Sequence, residues 1–152
     1  MNIIICGAGR VGFTIAKQLS EQGHSITVID QSSEDIQKID AALDVKAIVG
    51  KATYPSILEK ADASDADMII AVTRNDEINM VICQIAFSIF KIPKKIARIR
   101  SQDDLNPKFT RVYNKENEPI DVIISQEIEI ATSIQRKIEA NGALDRVTIA
   151  RQ

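Results

Sequence analysis

A glycine pattern near the start of the chain restricts the possible fold more than any other feature. The β-branched run Ile3 to Ile5 leads into the sequence GAGRVG at Gly7 to Gly12, and an amphipathic segment, Phe13 to Leu19, begins directly after it. A strand, a tight glycine turn and a helix in succession form the context in which a G-x-G-x-x-G pattern is typical of nucleotide binding.

Each glycine has its own expected role. Gly7 allows the turn, Gly9 lets a phosphate approach the backbone, and Gly12 lets the helix lie near the strand. A second β-rich run, Ser25 to Ile29, ends at Asp30, where an acidic side chain can hold ribose hydroxyls. A purely steric glycine turn is the alternative, but the combination with Asp30 favours nucleotide or dinucleotide binding.

Length and charge exclude several classes of protein. The 152 residues are enough for one domain, and the net charge of −2 gives no basic field for DNA or RNA binding. Cys6 and Cys83 lie in apolar runs without metal-ligand spacing, so we expect buried, reduced thiols and no metal site. No apolar stretch approaches the ~18 residues that a membrane span requires, which predicts a soluble chain.

Apolar runs that alternate with helical patterns predict an α/β fold. We expect a Rossmann-type, doubly wound parallel sheet of six strands in the order 3-2-1-4-5-6, with a C-terminal helix and an additional strand. Residues 1–124 would form the nucleotide-binding domain, and residues 125–152 a linker or subunit-contact segment. The predicted strands begin near Ile3, Ser25, Ala47, Met68, Ile96 and Val122, and the additional strand spans Arg146 to Ala150.

The strongest helical pattern lies between the fourth and fifth strands. Apolar residues there keep the i, i+3, i+4, i+7 spacing of an amphipathic helix, with Asn75 or Asp76 as the cap and Pro93 after its end. The residues of this apolar stripe are Ile78, Val81, Ile82, Ile85, Ala86 and Ile89. A weaker helical segment is expected at Asp103 to Tyr113, and a further helix at Ser125 to Ala140.

Ligands of such sheets bind over the C-terminal ends of the strands. The residues expected there are Gly7, Ala8, Gly9, Arg10, Val11, Gly12, Asp30, Gln31, Gly50, Lys51, Ala52, Thr73, Arg74, Asn75, Arg98 and Arg100. Their cations suggest an electropositive pocket for a pyrophosphate or polyphosphate, because guanidinium groups grip phosphate oxygens in pairs. The alternative is that each cation pairs with an acid on a solvated rim. Asp30 is followed by Gln31 rather than by an arginine that could receive a 2′-phosphate, which indicates NAD(H) or an adenine nucleotide such as ATP or ADP.

No catalytic group accompanies these residues in the sequence. Tyr54 and Tyr113 lack the Tyr-x-x-x-Lys spacing, no G-x-S-x-G motif occurs, and His24 is expected at the opposite edge of the sheet. A nucleotide site without an acid, base or nucleophile indicates a sensor rather than an enzyme. Two other classes stay open: an NAD-dependent oxidoreductase domain that lacks its substrate domain, and an assembly module that binds no nucleotide.

Several motifs together resemble the NAD-binding N-terminal domain of the Trk potassium uptake protein A group, also called the KTN or RCK domain (regulator of potassium conductance). Beyond the glycine motif, the resemblance includes Thr73 with Asp76-Glu77, Asn79-Met80, and Ala97 to Ser101. It extends over essentially the whole chain. Lys51 departs from the pattern, because relatives commonly carry Asp or Asn after the glycine.

The resemblance implies a cytoplasmic regulatory subunit or domain that binds NAD(H) or ATP/ADP. By changing its subunit arrangement, such a protein would gate an integral-membrane potassium transporter at the inner face of the cell membrane. Relatives form homo-oligomers, dimers or tetramers, and often carry a further ligand-binding domain. We therefore expect this chain to be one module of a longer regulator.

Overall fold

The sheet is parallel and doubly wound, as the sequence predicts. A computed structural model describes residues 1–100, 120–123 and 134–139, with only the backbone described for 120–123. The strands are β1 (Asn2–Cys6), β2 (Ser25–Asp30), β3 (Lys46–Val49), β4 (Met68–Ala71), β5 (Lys94–Arg98) and β6 (Ile120–Ile123). They pair in the order β3-β2-β1-β4-β5-β6, which agrees with the predicted order, and every pairing is parallel.

Within the described residues, four α-helices lie between successive strands. They are α1 (Arg10–Glu21), α2 (Ser33–Ala42), α3 (Pro55–Lys60) and α4 (Asp76–Ser88), and residues 134–139 are also helical. Ser32 caps α2 by accepting a hydrogen bond from the Asp35 amide, 3.2 Å away. A short 3₁₀ turn at Ala63–Asp65 was not anticipated. The predicted helix at Asp103 to Tyr113 and the strand at Arg146 to Ala150 lie outside the described residues.

Alternating side chains of the central strands build one core on each face of the sheet. Ile3 and Ile5 pack in the cluster that contains the buried face of α1, whereas Ile4 and Cys6 pack in the cluster that contains residues of α3 and α4. This is the alternation that a strand covered on both faces requires. Ile134 is fully buried in the α1 cluster, so the helical segment 134–139 also packs against the sheet.

The stripe predicted for α4 is only partly buried. Ile82 and Ala86 are in the core, but Ile78, Val81 and Ile89 are 39%, 46% and 55% exposed. The buried face also includes Asn79, Met80 and Cys83. Because α4 carries apolar residues around most of its circumference, the spacing alone did not determine which face packs on the sheet.

The predicted buried thiols are confirmed. Cys6 and Cys83 are both free and fully enclosed. Burial raises the pKa of Cys83 to about 12 and raises the pKa of Cys6 still further above its ordinary value.

These two thiols should therefore be unreactive in the folded protein. The thiolate is the nucleophile, and at pH 8 neither buried cysteine forms it to a useful extent. Ellman's reagent at pH 8 should titrate neither thiol in buffer and both in denaturant. Rapid reaction of either thiol in buffer would contradict the packing of β1 against α4.

Candidate functional site

The glycine turn lies at the point where the strand order reverses. β1 pairs with β2 on one side and with β4 on the other, and α1 starts directly after the turn. The C-terminal ends of these strands surround a crevice of the kind that binds ligands in doubly wound sheets. The turn therefore occupies the position that its sequence predicted.

The three glycines differ in what surrounds them. Gly7 has a φ of +118°, and its amide donates to the Ile29 carbonyl at 2.8 Å. Gly9 precedes α1, and a Cβ added there would meet no atom within 4 Å. A Cβ on Gly12 would overlap the Gly7 carbonyl oxygen. Gly7 thus makes the turn, Gly9 leaves open space, and Gly12 allows close packing of helix on turn.

Asp30 faces the glycine turn. Its carboxylate accepts hydrogen bonds from the backbone amides of Ala8, at 2.7 Å, and Ser32, at 2.8 Å. Each carboxylate oxygen has a second lone pair, so two further hydrogen bonds from a ligand remain possible. Asp30 consequently links β2 to the glycine turn. It is also a candidate hydrogen-bond acceptor for hydroxyl groups of a ligand.

A first cavity of about 400 Å³, the Asp30 pocket, opens beside this carboxylate. Ligand pockets are commonly about 300–1,000 Å³. Its wall combines the ends of β1, β2, β3 and β4 with isoleucine side chains of α4. The lining residues are Gly7, Ile29, Asp30, Gln31, Gly50, Lys51, Ala52, Thr53, Thr73, Arg74, Asn75, Ile78 and Ile82.

A second cavity of about 440 Å³, the arginine pocket, lies on the other side of the turn. It shares Gly7, Thr73 and Arg74 with the Asp30 pocket. Among the described residues, four guanidinium side chains and one acid line it, so its charge suits an anion. The lining residues are Gly7, Gly9, Arg10, Val11, Asp35, Val72, Thr73, Arg74, Arg98 and Arg100.

Two hydrogen bonds hold Arg100 beside the loop that follows β4. The Arg100 amide donates to Asp76 Oδ2 at 3.0 Å, and its guanidinium donates to the carbonyl of Arg74. The start of α4 and the end of β5 are thereby joined. This arrangement brings Arg98 and Arg100 to one cavity, as strand alternation predicts.

A fully buried polar residue supports the same loop. Asn79 of α4 is 0% exposed, and its carboxamide hydrogen bonds with Thr73 after β4 and with Arg98 at the end of β5. In the sequence, Asn79 was identified only as part of a family motif. A lone asparagine among the apolar residues of a helix was the available signal, because a buried amide requires partners.

All the predicted site residues lie at this edge, and all but two of them line one of the two cavities. Ala8 and Gly12 line neither cavity; Ala8 bonds to Asp30, and Gly12 packs on the turn. Sequence reasoning did not include lining residues Ile29, Asp35, Thr53, Val72, Ile78 and Ile82.

His24 lies at the opposite edge of the sheet, as expected. Its Nδ1 is 3.2 Å from the Met1 amino group, and burial together with that amino group lowers the pKa of His24. It lines a separate cavity of about 440 Å³ at the N-terminal ends of the strands.

Two other features are absent from the part of the chain that the structure describes. No group of acidic, histidine or cysteine residues there has the arrangement of a metal site. No described helix combines the length and apolar composition needed to cross a bilayer.

The TrkA-N domain family model matches residues 3–126, which is most of the chain. The chain belongs to this family. It is 43% identical over 148 residues to the Trk system potassium uptake protein TrkA of Azorhizobium caulinodans, a match that covers 97% of this chain and 32% of that protein. The chain therefore spans about a third of the length of this curated TrkA-N relative.

Solved structures share the fold at lower identity. The GsuK channel bound to NAD matches with a TM-score of 0.65 and 18% identity, over 80% of this chain and 21% of that one. The Kef C-terminal domain of Shewanella denitrificans in its AMP-bound form matches with a TM-score of 0.64 and 22% identity, over 95% and 82% of the two chains. These likenesses agree with the Rossmann-type sheet of a TrkA-N domain.

Proposed function

We propose that this TrkA-N chain is a nucleotide-sensing regulatory domain of a potassium uptake transporter. The observation that carries the proposal is the crevice at the switch point, in which the glycine turn, open at Gly9, lies between the Asp30 pocket and the arginine pocket. Such a crevice suits one ligand with a sugar at one end and phosphates near its middle.

The adenosine of NAD(H), ATP or ADP would occupy the Asp30 pocket. Asp30 would accept hydrogen bonds from the ribose hydroxyls, and the partly exposed Ile78 offers an apolar surface for the base. Lys51, which is exposed and 5.6 Å from the Tyr54 ring, would lie at the rim of this pocket.

The phosphates would lie over Gly9 and the first turn of α1. Gly9, the N-cap of α1, has no side chain that could accept a capping hydrogen bond, and the N–H groups of the first turn with the helix dipole favour an anion. Beyond them, Arg10, Arg74, Arg98 and Arg100 would meet a further phosphate or the second half of a dinucleotide.

The regulatory part of the proposal rests on the relatives. A protein named as part of a potassium uptake system contains a segment 43% identical to this chain, and similar folds occur in a channel bound to NAD and in a domain bound to AMP. The partner would be an integral-membrane potassium transporter, and the chain would then lie at the inner face of the membrane. Residues 1–124 would bind the nucleotide and residues 125–152 would contact other subunits of a homo-oligomer. The exposed Ile78, Val81 and Ile89 on α4 are compatible with such assembly.

Gating would follow from a difference in affinity. A ligand shifts an equilibrium between two subunit arrangements only to the extent that it binds one of them more tightly. Ligands that differ in phosphate number or in nicotinamide redox state would contact the arginine pocket differently, and so would favour different arrangements.

Thermal unfolding with NAD⁺, NADH, ATP and ADP tests the binding part of this proposal. A ligand at 100 times its dissociation constant should stabilise the protein by about 2.7 kcal/mol, or roughly 5–10 °C in Tm for a domain of this size. Ribose 5-phosphate provides the control that lacks a base. Absence of any shift with all four nucleotides would leave an assembly module as the better explanation, and substrate-dependent oxidation of NADH would favour an oxidoreductase.

A further inference from the structure

The side-chain carboxamide of Asn79 uses all of its donor and acceptor positions in hydrogen bonds to Thr73, just after β4, and Arg98, at the end of β5. Its Oδ1 accepts from the Thr73 amide at 2.9 Å and from the Thr73 hydroxyl at 2.6 Å. Its Nδ2 donates to the carbonyl oxygens of Thr73, at 3.1 Å, and Arg98, at 2.8 Å. A carboxamide has two acceptor and two donor positions, so none is left for a ligand.

These bonds begin where the pairing of β4 with β5 ends. The last paired residues of the two strands are Ala71 and Ala97. Thr73 and Arg98 lie beyond these residues, where β4 and β5 no longer pair with each other. The side chain of Asn79 bonds to both and so connects the two strand ends there. Because Asn79 itself is 0% exposed, its carboxamide is shielded from water and holds these bonds in a defined geometry.

We propose that Asn79 is a positioning residue that sets the spacing between Thr73 and Arg98 and thereby determines nucleotide affinity. Thr73 lines both pockets and Arg98 lines the arginine pocket, whereas Asn79 lines neither. The inference rests on the proposed function, since it assigns a role in binding the nucleotide phosphates. A shift of Arg98 by a fraction of an ångström would weaken its contacts with phosphate, because charge-assisted hydrogen bonds depend strongly on distance.

A merely structural role for Asn79 would lower stability without acting through Arg98. The two roles are separated by a double-mutant cycle of Asn79→Ser and Arg98→Gln, with ADP affinity measured by calorimetry on the full chain. Each single variant should bind ADP about tenfold more weakly, which corresponds to the loss of one well-placed contact. The double variant should be scarcely weaker than either single variant, because Asn79 acts through Arg98.

Gln84→Ala is the matched control on the same helix. The Gln84 side chain bonds only to Ser88 among the contacts described, away from both pockets, so ADP affinity should not change. Circular dichroism establishes that each variant is folded. If Asn79→Ser does not fold, Asn79→Asp replaces it in the cycle, because it keeps the shape and loses the Nδ2 donors.

The outcomes distinguish this inference from the proposed function. No ADP binding by the unsubstituted chain, together with no binding of the other nucleotides, would overturn both. Unchanged affinity in a folded Asn79 variant, or fold-losses that multiply in the double variant, would overturn the positioning role alone. Failure of both Asn79 variants to fold would also overturn it, in favour of a structural role.

Discussion

Gly12→Ala is expected to lower the free energy of unfolding by at least about 3 kcal/mol, or roughly 10 °C in Tm. The added Cβ would overlap the Gly7 carbonyl oxygen and lie 2.7 Å from its carbonyl carbon. Backbone atoms of a tight turn cannot move aside as a flexible side chain can. Helix propensity favours alanine over glycine by only about 1 kcal/mol inside α1, so the overlap decides the sign.

Gly9→Ala is the matched control for that variant. Gly9 has a φ of −74°, which alanine adopts readily, and its Cβ would meet nothing within 4 Å. The Tm should stay within about 2 °C, since surface changes usually cost less than about 0.5 kcal/mol. Calorimetry should nevertheless show weaker nucleotide binding, because the methyl group fills the space proposed for a phosphate. Equal Tm values for the two alanine variants would contradict the packing of α1 on the turn.

Asp30→Ala has the second large expected effect, on stability and binding together. The carboxylate accepts from Ala8 and Ser32, and hydrogen bonds to a charged group contribute about 1.5–3 kcal/mol each. We expect urea unfolding to show a loss of about 2–4 kcal/mol. Calorimetry should show NADH binding weakened by more than about 1 kcal/mol if the same carboxylate accepts from both ribose hydroxyls.

Ser32→Ala separates these two effects. It removes the side-chain cap of α2, which costs about 1 kcal/mol, but leaves the Ser32 amide bonded to Asp30. Its NADH affinity should equal that of the unsubstituted chain. Unchanged NADH affinity in Asp30→Ala would show that Asp30 does not bind the nucleotide. Its role would then be only to link β2 to the glycine turn.

Much of the fold was accessible to sequence reasoning because its signals are local. The conformation of Gly7, the close packing at Gly12 and the placement of Asp30 beside the turn follow from a short strand-turn-helix segment. The gathering of arginines at one edge follows from the rule that parallel strands end together.

The remaining features depend on contacts between distant segments. The face of α4 that packs on the sheet was not determined by spacing, because Val81 and Ile82 fit apolar stripes equally well. Lys95 was expected before β5 but is buried within it, with its ammonium group donating to the Ile92 carbonyl at 3.0 Å. The hydrogen-bond partners of Asn79 are Thr73, just after β4, and Arg98, in β5. Because β5 is distant from Asn79 in the sequence, a local pattern does not predict this contact.

A nucleotide that lies across the glycine turn at the switch point should be visible in an ADP titration followed by amide resonances in ¹H–¹⁵N NMR spectra. The largest shifts are expected at Gly9, Arg10, Asp30 and Thr73, with little change at Lys46 on the opposite edge beside the His24 cavity. Shifts confined to that opposite edge, or no shifts at saturating ADP, NAD⁺ and NADH, would contradict this placement of the nucleotide.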